Sequence, residues 1–102
     1  MAVELKFYVG QIVHHKRFNY RAVVCDVDPE YQGTDGWYEQ VAKSRPPKDK
    51  PWYRVLIDGT DYDAYVAEPH LEPDDQGQPI CHPQLDDVFT NYSDGTYTIK
   101  RH

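Results

Sequence analysis

Apolar and polar residues alternate with a period of two through most of the chain's apolar segments, and this is the pattern of half-buried β-strands. In residues 1–9 Leu5, Phe7 and Val9 fall on one side and Lys6 and Tyr8 on the other, up to Gly10. Residues 11–15 carry Ile12, Val13, His14 and His15 as a second strand. Lys16, Arg17, Phe18 and Asn19 connect it to residues 20–28, and Asn19 is the connection residue best able to take positive φ. Residues 51–58 read as the central strand: Tyr53, Val55 and Ile57 point one way, Trp52, Arg54 and Leu56 the other, so both faces are expected to be largely covered. Asp58 and Gly59 begin a turn, residues 62–67 return as the partner strand, and residues 96–100 form the last one.

Between these runs the pattern dissolves. Residues 30–50 contain Gly33, Gly36, Pro46 and Pro47, and only 37–43 suit a short helix, with Asp35 as N-cap and Trp37 and Val41 on one face. A connection this long is either functional or mobile. Residues 68–79 read as a polar surface loop. Pro83 to Phe89 suits one helical turn with Pro83 at its first position and Leu85, Val88 and Phe89 inward. Six short strands with one or two helical turns predict a mainly β domain, a small closed or nearly closed antiparallel barrel.

Composition narrows this reading. With 102 residues the chain is expected to be one domain, 1–102, and nine of its fourteen aromatics are Tyr, which favours β structure over a helical bundle. No apolar run reaches bilayer-spanning length, so a cytoplasmic protein with no membrane contact is expected. The net charge of −6 is uneven: residues 1–54 hold nine Lys/Arg against seven Asp/Glu, residues 55–102 two against ten. The overall sign disfavours an obvious nucleic-acid binder and leaves only a local basic patch, Lys16, Arg17, Arg21, Lys43, Arg45, Lys48, Lys50 and Arg54. Its plain alternative is a solvated surface of mixed charge.

Catalytic and metal chemistry find little support. Cys25 stands among Val23, Val24 and Val27, where a thiol acts as a small core hydrophobe, and no third group orients a Cys/His nucleophile. His14 and His15 face opposite sides of one strand, so four ligands for zinc are hard to assemble even with Cys81 and His82. Neither a disulfide, a metal nor a cofactor is expected, and no enzymatic activity. The aromatics carry more weight. Trp37 and Tyr38, in a long connection, and Trp52 and Tyr65, on strands, either line a groove for a peptide or a base, or plug one end of the barrel.

Several segments, in order and at matching spacing, resemble one family. They are Gly10-Gln11-Ile12-Val13-His14-His15; Tyr20-Arg21-Ala22-Val23-Val24 with Asp26 and Asp28-Pro29; Pro51-Trp52-Tyr53 with Val55, Leu56 and Asp58; Tyr65-Val66-Ala67-Glu68 with Leu71; and Ile80, His82-Pro83 and Phe89. The chain is similar over nearly its whole length to the HspQ/YccV family, the hemimethylated-DNA-binding domain. The resemblance implies an SH3-like β-barrel without catalytic activity. Family members are associated with hemimethylated origin DNA and with ATP-dependent proteolysis, as adaptors, substrates or enhancers, and relatives occur within F-box proteins and a polymerase-interacting protein. Asn19 and Ala22 stand where many members have Gly, and the Gly59-Thr60 turn is shorter than the acidic loop of many bacterial versions.

Three readings of function follow. The first is a hemimethylated-DNA-binding module with weak, salt-dependent affinity. The second is a protein-binding adaptor acting with a protease or its substrate, and the third an SH3-like or Tudor-like reader in which Trp52, Tyr53 and Tyr65 cage a cation or stack on a proline helix.

Overall fold

The computed structural model describes residues 4–41 and 45–100. In chain order the elements are β1 (Ile12–His15), β2 (Arg21–Asp28), α1 (Asp35–Val41), β3 (Trp52–Ile57), β4 (Asp63–Ala67), a 3-10 turn (Glu68–His70), β5 (Leu71–Pro73), α2 (Leu85–Val88), β6 (Phe89–Ser93) and β7 (Thr96–Ile99). Five strands form one antiparallel sheet in the order β4-β3-β2-β1-β5, and β6 and β7 form a separate hairpin. The fold is mainly β with two short helices, as the period-two pattern predicts. Hydrogen bonding does not run full circle: β4 and β5 are both sheet edges, and the sheet curls only far enough for Val66 and Leu71 to share one core. No helix among the described residues is long and apolar enough to cross a membrane.

The pairing of β2 with β3 sets the layers. Ala22 faces Ile57, Val23 faces Leu56 and Val24 faces Val55, but the next pair is Asp26 with Arg54, so Cys25 is an extra, bulged residue. The bulge shifts the alternation by one residue and turns Val27 to the same side as Ala22 and Val24. Those residues join Phe7, Val13, Tyr53, Val55, Val66 and Leu71 in the core inside the curled sheet. The outer face is covered twice. Ile12, Val23 and Leu56 lie under Ile80, Phe89 and Tyr97, while Trp52 and Ala67 lie under Tyr38 of α1.

Gly10 joins the two sheets. Its N–H donates to Val24 O at 2.8 Å and its carbonyl accepts from Tyr97 N–H at 2.8 Å. Its φ is +97°, and a Cβ there would collide with the Tyr97 carbonyl. A buried polar chain pins the segment before β1: Tyr53 Oη donates to Glu68 at 2.6 Å and accepts from Phe7 N–H at 3.3 Å, and Glu68 also accepts from Lys6 N–H at 3.2 Å. Burial and the bond to Glu68 push the Tyr53 phenol up.

Several expectations are corrected. Residues 4–9 make no strand, because their alternation arises from Phe7 and Val9 tucking into the core while Leu5 stays 45% exposed. The predicted N-terminal residues 1–3, Lys43 and the side chain of Val41 lie outside the described residues. The middle of the large sheet is β2, not β3, and Ile57 is half-buried rather than core. Residues 71–73, read as connection, are strand β5, and Phe89, read as the end of a helical turn, begins strand β6, Phe89–Ser93. Gln84, not Pro83, immediately precedes the first residue of α2.

Candidate ligand groove

The long connection between β2 and β3 is tied down at several points. Tyr31 N–H donates to Lys48 O at 2.9 Å, Tyr38 Oη to Pro46 O at 2.5 Å, and Trp52 Nε1 to Pro47 O at 3.0 Å. Thr34, rather than Asp35, caps α1, its Oγ1 accepting from Trp37 N–H at 3.1 Å. These bonds press α1 onto the outer face of β3 and β4 and assemble Tyr31, Trp37, Trp52 and Tyr65. Their six ring-to-ring distances run from 4.9 Å, between Tyr31 and Trp52, to 6.1 Å, so each ring touches the others.

This packing sorts the candidate aromatics. Trp37 and Tyr65 are half-buried and face a groove, with Trp52 as its floor at 1% exposure. Tyr38 lies beneath α1, outside the groove lining. Tyr53 points to the opposite face of the sheet, into the inner core, so the cage of Trp52, Tyr53 and Tyr65 does not form. Tyr65 Oη donates to Asp28 at 2.5 Å and accepts from Gln32 N–H at 3.1 Å. Burial first, and then the bond to Asp28, push its phenol up to about 12.

The groove encloses about 810 Å³ and continues past β4 to the β1–β2 hairpin. There Phe18, 69% exposed, stacks on buried His15 with centroids 4.7 Å apart, and Tyr20 and His70 pack on the same imidazole at 4.9 and 5.7 Å. His15 Nδ1 accepts from the N–H groups of Arg17 at 3.1 Å and Phe18 at 3.0 Å. A backbone N–H can only donate, so Nδ1 carries no proton and the ring is neutral. Burial, and then the charges of His70, His14 and Arg17, lower its pKa to about 4. His15 is thus a buried residue bonded to the backbone of its own hairpin.

The basic residues do not form one face. Arg17 and Arg54 line the groove; Arg54 bonds Asp63 at 3.0 Å and lies 5.6 Å from the Tyr65 ring centre. Lys48 stands 4.3 Å from the Tyr38 ring centre and 3.5 Å from Asp35, and Arg45 is held by Glu39 at 2.7 Å. Arg21 faces the other way, clamped by Asp74 at 3.1 Å, Asp58 at 3.3 Å and Gln78 O at 2.5 Å. Among the described residues, Lys16 and Arg17 meet no carboxylate within ion-pair distance.

A family profile described as hemimethylated DNA-binding protein YccV like matches residues 5–96. The chain belongs to the YccV-like family. In this YccV-like domain the segments that carry the likeness have structural duties at the groove: Trp52 is its floor, Tyr65 its wall, and His15 holds the hairpin that presents Arg17 and Phe18. Sequence reasoning missed Tyr31, Phe18 and His70 as neighbours of this site. Tyr31 and Phe18 lie in connections without periodicity, and their only signal is that large aromatics are uncommon in loops exposed to water.

Proposed function

We propose that the chain is a non-catalytic cytoplasmic module that binds hemimethylated DNA through this groove. Family membership supplies the ligand class, and one observation carries the assignment to the groove: cationic and aromatic side chains share its walls. Arg17 of the hairpin and Arg54 of β3 line the groove where phosphates would lie, Lys16 stands next to Arg17 in the hairpin, and the exposed faces of Phe18 and Tyr65 offer stacking surfaces to an unpaired base. The test titrates labelled hemimethylated, fully methylated and unmethylated duplexes at two salt concentrations. Tighter binding of the hemimethylated duplex is expected. Equal binding of all three would leave DNA affinity without the methylation preference, and no salt-sensitive binding at low salt would remove DNA as the ligand.

A second reading, a protein partner such as a protease or its substrate, is favoured by the charge arrangement. Four of the candidate cations, Arg21, Arg45, Lys48 and Arg54, are already matched by carboxylates, which lowers their worth to a phosphate backbone. Binding of this kind depends on buried aromatic anchors, is weakened by Trp37→Ala and survives moderate salt.

A further inference from the structure

The β4 edge of the large sheet is open, and its backbone is set up to receive another strand. Ile57 N–H donates to Tyr62 O at 3.1 Å and Glu68 N–H to Pro51 O at 3.0 Å, which fixes the hydrogen-bonded pairs of the β3–β4 ladder at 62, 64, 66 and 68. By the alternation of an antiparallel ladder, the N–H and C=O groups of Asp63 and Tyr65 point away from β3. No strand among the described residues pairs with them. Edges of this kind are ordinarily blunted by proline, lysine, a bulge or a cover. The other edge follows that rule, since β5 has three residues and ends at Pro73. β4 has neither proline nor bulge, and its one charge, Asp63, is matched by Arg54.

All five β4 residues line the groove, which therefore follows the edge. Side chains of an added strand would alternate between two walls: Tyr65 and Trp37 on the outer side, His15, Phe18 and Tyr20 on the inner. Among the lining charges Asp63 is paired with Arg54, and Asp28 accepts from the Tyr65 hydroxyl, a bond that offsets no charge. The two lining histidines have pKa values lowered by burial, and Arg17, the lining cation of the hairpin, meets no carboxylate among the described residues.

We propose that β4 takes up an extended acidic peptide as a sixth strand of the sheet, its backbone paired with Asp63 and Tyr65 and a carboxylate against Arg17. This rests on the protein-partner reading and specifies its mode. The test selects binders to the full chain from a library of random eight-residue peptides, then N-methylates the selected peptide one residue at a time. N-methylation at every second residue is expected to weaken binding at least tenfold and to be tolerated between. The bound peptide should slow amide exchange at Asp63 and Tyr65, and Arg17→Glu should weaken it about tenfold without changing the fold. Binders indifferent to N-methylation would overturn strand addition while leaving a protein partner in place, and absence of any binder would remove both. Protection of the same amides by self-association of the free chain, or by the hemimethylated duplex alone, would assign the edge to a second copy or to DNA and overturn the peptide.

Discussion

His14 and His15 are adjacent in sequence and opposite in chemistry. His14 lies between Glu72 and Asn19, each 2.7 Å from a ring nitrogen, and the bond to Asn19 first, then Glu72, raises its pKa. Its contribution to stability is present below the unfolded pKa near 6.5 and is lost as pH rises through the higher folded value. His15 is held neutral, with a folded pKa lowered to about 4. Its contribution is complete above about pH 6.5 and is lost as pH falls toward 4, because the unfolded chain then binds the extra proton; the loss is on the order of 2–3 kcal/mol. In an NMR titration the His14 ring should show a midpoint above 6.5 and the His15 ring no inflection down to pH 5. A His15 midpoint near 6.5 would mean that the hairpin opens to water. The alternation of one strand was enough to place these two residues on opposite faces. It could not reveal Asn19 and Glu72 as partners of His14, since Glu72 comes from β5, a strand of three residues that leaves no periodic trace.

At the scale of elements, the long regular strands were legible and the irregular joints were not. β2, β3 and β4 show themselves through runs of β-branched and aromatic residues, and Asn19 does adopt the left-handed turn, at φ +57°. The bulge at Cys25 went unread although the sequence carries a trace of it: unbroken alternation from Ala22 and Val24 would turn Asp26 and Asp28 to the core, and the extra residue puts Val27 there instead. β6 is silent: only Phe89 of its five residues is buried, so it reads as polar connection. The groove suffered in the same way, since its Arg17 and Phe18 side comes from a four-residue turn and its Gln32, Gly33 and Thr34 side from a loop. The joint most sensitive to change is Gly10. Gly10→Ala requires both an unfavourable backbone conformation and retreat of the Tyr97 carbonyl, so a loss of at least about 2 kcal/mol is expected, with the β6–β7 hairpin loosening first. Urea unfolding measures the loss and amide exchange at Tyr97 its location. Val55→Ala, fully inside the curled sheet, should cost about 2–3 kcal/mol, and Ile57→Ala, half-buried, less. Equal losses at 55 and 57 would mean the inward face of β3 is misassigned.

For the molecule as a whole, the distribution of charge decides how it can meet DNA. Eight of the nine Lys and Arg residues in 1–54 make up the candidate basic patch; the fold spends several of them internally. The Arg21 side chain is 14% exposed in its clamp and that of its partner Asp74 3%, so pulling Arg21 out to a phosphate would leave Asp74 with only the N–H groups of Gln76 and Gly77, a loss of about 1.5–3 kcal/mol. The Arg54–Asp63 and Arg45–Glu39 pairs are exposed and cheap to exchange, whereas Lys16 and Arg17 need no exchange at all. A groove-bound duplex should therefore release counterions at Lys16, Arg17 and about one more cation. That corresponds to log affinity falling against log salt with a slope of about −2 to −3, lower than the full basic set would give. Reversing Lys16 and Arg17 together should weaken all three duplexes alike and reduce the slope by about two, because phosphate contacts position the ligand without reading its sequence or methylation. Arg21→Glu should instead lower the unfolding midpoint and leave the slope of the remaining folded protein unchanged. A slope steeper than about −5, or one that depends on Arg21, would place the DNA across the β5 side of the sheet and away from the groove.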